Sequence, residues 1–350
     1  MINLKPFSKI LIVKLSSLGD IIHTLPSVEL IRKNFPFAKI GWLIEEGFYD
    51  VIKNNPFIDR VYFLRFRSPI KKNKWKIFFE TIKKIRKENY DVAIDFQGLM
   101  KSSFLTFLSG SNYKIGFAEN DLREKYAKVF YNVTPNQSFE GGHVILKNIN
   151  LLSILNVYNG DSYTPKIFIS ENDEIEIKEE LKKINLDSFY IVHSYAGWKT
   201  KQWGMKNYAT VIRKFYQETG LKALITWAPS EYSKARYLVK LCKDAAILSF
   251  PTTIGKLSAL IKNCTMIVGG DSGPIHIADA FQKPIVALYG PTKPQRTGPI
   301  NPNAKIIYHE LGCSGCRKKN CPYHHINCMK SITQNEVLEA MIYVYKNKNS

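Results

Sequence analysis

Short apolar runs and amphipathic stretches alternate along this chain. Runs at 9–15, 39–44, 60–64 and 91–95 read as buried strands. Helical periodicity fills about 24–34, a shorter stretch at 47–54 and the second half of 65–88. Beyond Asn120 the pattern is helical but less regular, and the turn-rich Asn159-Gly-Asp-Ser-Tyr-Thr-Pro165 leads into a charged helix near 172–184. The alternation then restarts. Strands are predicted at 189–193, 222–227, 246–249, 265–268 and 284–289, with helices at 205–219, 231–241, 254–262, 274–281 and 334–346. Alternating strands and helices with short connections predict α/β architecture with doubly wound parallel sheets. The domains would be 1–165 and 166–331, with 332–350 forming a helix that packs back toward the first domain. A length of 350 residues accommodates two such domains.

Two turns stand out against this pattern. Lys14-Leu-Ser-Ser-Leu-Gly-Asp20 follows the apolar run Ile10 to Val13, and Gly269-Gly-Asp-Ser-Gly-Pro-Ile-His276 follows Thr265 to Val268. Ligands of open parallel sheets sit beyond the carboxyl ends of the strands, where glycines admit the backbone and helix N-termini offer N–H groups to anions. Ser272 and Gly273 suit a phosphate or an ordinary N-cap turn. Asp20 reads either as an N-cap or, because Pro26 would break a helix begun there, as a loop carboxylate available as a general base. His193-Ser-Tyr-Ala-Gly-Trp-Lys-Thr-Lys-Gln-Trp203 carries Lys199 and Lys201, which suit a diphosphate or solvent. Glu231, at the end of another strand, could take ribose hydroxyls. Neither a G-x-x-x-x-G-K-[S/T] phosphate loop nor G-x-G-x-x-G is present, which removes the main support for kinase, ATPase and nicotinamide readings.

Charge narrows the partners. Fifty Lys+Arg against 30 Asp+Glu leave a formal charge of +20, so acidic partners are attracted. The densest segment runs from Arg65 and Arg67 to Glu88, with Trp75, Phe78, Phe79, Ile82 and Ile85 at helical spacing. It is either a solvated face or a surface drawn to an anionic membrane. No apolar run approaches the roughly 20 residues of a membrane span, and no signal peptide precedes the first strand, so a cytoplasmic location is expected. Cys313, Cys316, Cys321 and Cys328, with His324 and His325 between them, could bind a structural zinc or iron, remain reduced, or form disulfides. A basic, metal-containing nucleic-acid-binding protein is the reading from a different class, but no recognised DNA- or RNA-binding signature is present.

Together these residues resemble glycosyltransferase family 9 over nearly the whole chain. The segments that carry the resemblance are Ile10 to Pro26, Trp42 to Phe48, Tyr90 to Ser102, Leu122 to Tyr131, Lys201-Gln-Trp203, Asp271 to His276 and Leu288-Tyr-Gly-Pro-Thr292. The resemblance implies a GT-B fold, two Rossmann-like domains facing a central cleft, with ADP-sugar on the second and a lipid acceptor on the first. It also implies inverting transfer of L-glycero-D-manno-heptose from ADP-heptose to a Kdo residue of Kdo-lipid A, in inner-core synthesis. A later heptose or a protein acceptor is the alternative. Asp20 would be the base, and Lys201 would neutralise the ADP leaving group. Ser194, Lys199, Glu231, Asp271, Ser272, Gly273 and His276 would line the donor site. Ser17, Gly19, Arg65, Arg67, Gln97, Lys101 and Arg123 would meet the acceptor. No catalytic metal or nucleic acid is implied, and the enzyme would work peripherally at the cytoplasmic face of the inner membrane. The loop from His193 to Trp203 is one residue longer than the family pattern, leaving Lys199 and Lys201 both as candidates for the diphosphate.

Overall fold

Five parallel strands build the sheet of the first half of the chain: β1 (Lys9–Val13), β2 (Lys39–Glu45), β3 (Arg60–Leu64), β4 (Val92–Asp95) and β5 (Tyr113–Ile115). The computed structural model describes residues 2, 4–66, 74–157 and 163–347, which leaves Arg67 and part of the predicted 159–165 linker outside. The chain divides into two units, Met1–Phe168 and Ile169–Ser350. In the first unit the strand order is β3-β2-β1-β4-β5. Ile10 of β1 therefore lies opposite both Ile40 of β2 and Val92 of β4. Fully buried parallel strands need apolar side chains on both faces, which is why Ile-Leu-Ile-Val of β1 reads as a continuous run.

Helices α1 (Leu18–Ile22), α2 (Leu25–Asn34), α3 (Lys74–Glu88), α4 (Met100–Leu108) and α5 (Val144–Leu151) belong to this unit. On one face, Ile82 and Ile85 of α3 and Leu105 of α4 pack against Leu11, Val13, Leu43 and Leu64. The helix expected at 47–54 is instead a 3-10 turn, Glu46–Val51.

The second unit has strands β6 (Phe189–His193), β7 (Lys222–Ile225), β8 (Ala246–Leu248), β9 (Ile267–Gly270), β10 (Ile285–Tyr289) and β11 (Ala304–Tyr308). Its order is β11-β10-β9-β6-β7-β8, again all parallel. Its helices are α6 (Glu171–Lys183), α7 (Met205–Thr219), α8 (Tyr232–Cys242), α9 (Ile254–Asn263), α10 (Gly273–Ala280), α11 (Pro294–Thr297), α12 (Asn327–Lys330) and α13 (Gln334–Lys346). The last helix, α13, contributes to the core of its own unit. Its stripe of Val337, Met341 and Val344 joins the core of the second unit with Ile212, Phe215, Val286 and Leu288, and Tyr345 meets Phe215 edge-on. The Thr333–Glu336 capping box fixes its start.

Strand order reverses between β1 and β4 in one unit and between β6 and β9 in the other, and crevices at such points are where ligands bind in open α/β sheets. The second crevice depends on glycine. A Cβ on Gly269 would come within 2.7 Å of the His193 carbonyl oxygen, and one on Gly270 within 2.9 Å of the Lys201 carbonyl oxygen. Gly269→Ala is expected to lower stability by about 1–3 kcal/mol through overpacking, measured as a shift in the denaturant midpoint at constant slope. Among the described residues no helix is long and apolar enough to cross a membrane.

Candidate active site

At the first switch point β1 runs into a turn held from below. Lys14 Nζ donates to the Phe96 carbonyl at 2.7 Å, and the amides of Leu15 and Ser16 donate to Gln97 Oε1 at 2.9 and 3.2 Å. Gln97 is itself positioned by Asp95, whose Oδ1 accepts from the Gln97 amide at 2.7 Å and the Gly98 amide at 3.2 Å. The other carboxylate oxygen of Asp95 accepts from Tyr131 OH at 2.7 Å. Complete burial pushes the Asp95 carboxyl up despite these hydrogen bonds. Gln97, expected at the acceptor, thus spends its side-chain oxygen on the turn.

Asp20 is neither an N-cap nor a loop residue. It is the third residue of the five-residue α1, where it forms a capping box with Ser17. Its Oδ2 accepts from Ser17 Oγ at 2.7 Å and the Ser17 amide at 3.1 Å. The chain then breaks at His23 and Thr24 before α2, which accepts Pro26 in its first turn. Asp20 is therefore half-buried on a rigid turn, beside exposed Ser17 and buried Gly19.

Two of the expected acceptor cations lie near the end of β2. Lys101 Nζ donates to buried Glu45 at 3.0 Å and lies 3.4 Å from the Phe66 ring centroid, while Arg65 pairs with Glu46 at 2.5 Å. Arg123 is exposed between two 3-10 turns, Glu119–Asp121 and Lys125–Phe130.

The second switch point is a charge network around Asp271. Its Oδ2 accepts from Lys201 Nζ at 2.6 Å and Thr292 Oγ1 at 2.7 Å. Its Oδ1 receives His276 Nε2 at 3.2 Å and Tyr289 OH at 3.5 Å. A carboxylate can only accept here, so Nε2 of His276 carries the hydrogen. Burial disfavours the Asp271 charge, but the His276 hydrogen bond and the Lys201 charge outweigh it and hold the carboxyl well below its usual range. A depressed carboxyl contributes stability above its unfolded value of 3.8 that is lost as pH falls through the lower folded value. Asp271→Asn is accordingly expected to flatten the acid limb of the stability–pH curve below about pH 4, as followed by denaturant melts.

Around this network lie groups without protein partners. The hydroxyls of Ser194, just past β6, and Ser272, the residue before α10, are buried and unpaired. Buried hydroxyls without partners are costly, and a bound anion would satisfy them. The amide end of α10 lies beside Ser272, with Gly273 first and Pro274 second in the helix. Of the two candidate lysines, Lys199 is exposed, whereas Lys201 is held by Asp271 and lies 4.7 Å from the Trp198 ring centroid. Glu231 Oε2 caps the Ala228 amide at 2.9 Å, and its charge, after burial, raises the Tyr195 hydroxyl to about 12. Thr292, Tyr289 and Asp95 lie in the Leu288–Thr292 and Tyr90–Ser102 segments that carry the resemblance, but residue type alone assigns them no role.

The cysteine loop is docked onto this site. Gly315 N donates to the Gly290 carbonyl at 3.0 Å and Arg317 N to the Pro291 carbonyl at 2.7 Å, while Thr200 Oγ1 donates to the Lys318 carbonyl at 2.9 Å. Cys313, Cys316, Cys321 and Cys328 line one small pocket with Thr200, Pro291 and His325. Among the described residues, no three His, Cys, Asp or Glu side chains converge as a metal-ligand set.

Residues 78–327 match the model of glycosyltransferase family 9 (heptosyltransferase). The chain belongs to this family. Lipopolysaccharide heptosyltransferase 1 of Campylobacter coli is 29% identical, over 95% of this chain and 98% of its own length. Lipopolysaccharide heptosyltransferase 3 of Escherichia coli K12 is 25% identical over 78% and 80%. Among solved structures, a family 9 glycosyltransferase of Veillonella parvula superposes with a TM-score of 0.87 at 22% identity, covering 99% of both chains. Escherichia coli heptosyltransferase WaaC with ADP gives 0.76 at 22% identity, covering 96% of this chain and 99% of that one. The fold of this family 9 member is GT-B.

Proposed function

We propose that this family 9 enzyme transfers L-glycero-D-manno-heptose from ADP-heptose to a Kdo hydroxyl of Kdo-lipid A, with inversion, at the cytoplasmic face of the inner membrane. The observation that carries the donor side is the pair of buried, unpartnered hydroxyls, Ser194 and Ser272, beside Lys201 and the N-terminus of α10. That set suits a diphosphate. Glu231 takes the ribose, and His276 acts through Asp271, which aims Lys201. In the transfer step, the acceptor oxygen bonds to C1 of the heptose as the bond from C1 to the diphosphate oxygen breaks. The acceptor proton passes to Asp20, and Lys201 neutralises the charge growing on ADP. Arg65 and Arg123 meet acidic groups of the acceptor.

The 29% identity to a heptosyltransferase 1, against 25% to a heptosyltransferase 3, favours the first-heptose reading. It is tested by ADP release on Kdo-lipid A and on the same acceptor already carrying a heptose. Turnover confined to the unextended acceptor supports it, and turnover confined to the extended one moves the enzyme a step along the core.

No metal takes part in this chemistry. A structural zinc or iron at the four cysteines is a separate proposal: they share a pocket at short spacing, and binding would have to draw the thiols together, because among the described residues no three of them converge as ligands. Reduced protein purified without added metal is expected to carry about one equivalent, and a content well below that defeats the proposal.

A further inference from the structure

An apolar, cationic face of the first unit is left uncovered by anything described so far. On α3, buried Ile82 and Ile85 anchor the helix, and Thr81 Oγ1 ties its inner edge to the Phe63 carbonyl of β3 at 3.0 Å. Trp75, Phe79 and Arg86 recur at helical spacing on the flank away from β3. Arg86 comes within 3.5 Å of a Cβ built on Gly110, just beyond α4, so this flank is turned toward α4.

On α4, Phe104 and Phe107 point outward and pack on Phe130 at ring-centroid distances of 5.5 and 5.8 Å. Exposure remains high for side chains of this kind: Trp75 73%, Phe79 64%, Phe107 50%, Tyr126 80% and Val129 73%. Exposed aromatic side chains clustered on neighbouring elements mark an interaction site. Its charge says with what. Helix α3 carries six cations against Glu80 and Glu88, and Lys125 and Lys128 flank Tyr126 on the neighbouring turn. Aromatic side chains set among lysines suit the headgroup region of an anionic bilayer.

We infer that α3, α4 and the Lys125–Phe130 turn form the surface by which this enzyme sits on an anionic phospholipid membrane. The inference deepens the proposed reaction, whose acceptor is lipid-anchored, by naming the face presented to the lipid.

The test uses the full chain with phosphatidylcholine vesicles that contain or lack phosphatidylglycerol, in a sedimentation assay. The wild type is expected to bind the anionic vesicles. Phe104→Ser combined with Phe107→Ser is expected to weaken that binding about tenfold or more, while turnover on a soluble, acyl-free Kdo glycoside is unchanged. Lys83→Glu with Lys87→Glu, both exposed and outside the core, provides a second variant expected to abolish the preference for anionic vesicles. The inference is overturned by a wild type that ignores anionic vesicles, by variants that bind as the wild type does, or by a concentration-dependent dimer that the phenylalanine variant dissociates. Vesicle binding without turnover on any Kdo acceptor would leave this surface standing and remove the proposed reaction instead.

Discussion

Replacing Asp20 by Asn is expected to lower turnover by about 100- to 10,000-fold, the range supplied by a positioned general base, while the affinity for ADP stays within about twofold. The substitution touches structure as well as chemistry, because the carboxylate closes a capping box with Ser17. That contribution is separable. Ser17→Ala removes the hydroxyl that donates to Asp20 at 2.7 Å but leaves the carboxylate in place. It should cost about 1 kcal/mol of stability, the net contribution of one hydrogen bond, with only a modest fall in rate. Parallel measurements of thermal midpoint and initial rate on both variants test the assignment. If Ser17→Ala and Asp20→Asn reduce turnover equally, the effect of Asp20 is that of a cap.

The second large effect falls on Lys201. Its ammonium and the Asp271 carboxylate are 2.6 Å apart, with side-chain exposures of only 15% and 7%. Lys201→Ala leaves a buried carboxylate with only neutral donors and His276, and breaking a buried pair from one side costs about 3–5 kcal/mol. A loss of about 3 kcal/mol is therefore expected in a denaturant melt. ADP affinity and turnover should both drop at least about 100-fold, because the same cation is assigned to the leaving group. Lys199→Ala is the contrast. Lys199 is exposed, and its removal should change ADP affinity by less than about threefold. Equal losses in the two variants would return the diphosphate to a loop held by both lysines.

These contrasts follow from what was and was not legible in the chain. Buried parallel strands announce themselves as unbroken apolar runs, so β1, β6, β9 and β10 and the turns that follow them could be placed from sequence. The three residues of β5 include Lys114, and β11 is a half-exposed edge strand whose apolar run is short, so neither produced a readable period. Pro26 signalled a helix start near Thr24 correctly. It could not show that the chain inserts a separate helical turn first, whose capping box claims Asp20.

The Asp271 network was invisible for a different reason. Lys201 is 70 residues away in sequence and Thr292 is 21 away, and only the adjacency of β6, β9 and β10 brings their loops together. For α13, the apolar stripe reports that a partner exists without reporting which one. Its partner proved to be α7 and the sheet of its own unit.

The most direct measurement is the mass and anomeric configuration of the product formed from ADP-heptose and Kdo-lipid A. The account predicts an acceptor heavier by one heptose, joined with the configuration at C1 inverted, as a single displacement assisted by Asp20 requires. A retained configuration, or hydrolysis of ADP-heptose without a glycosylated acceptor, would contradict it.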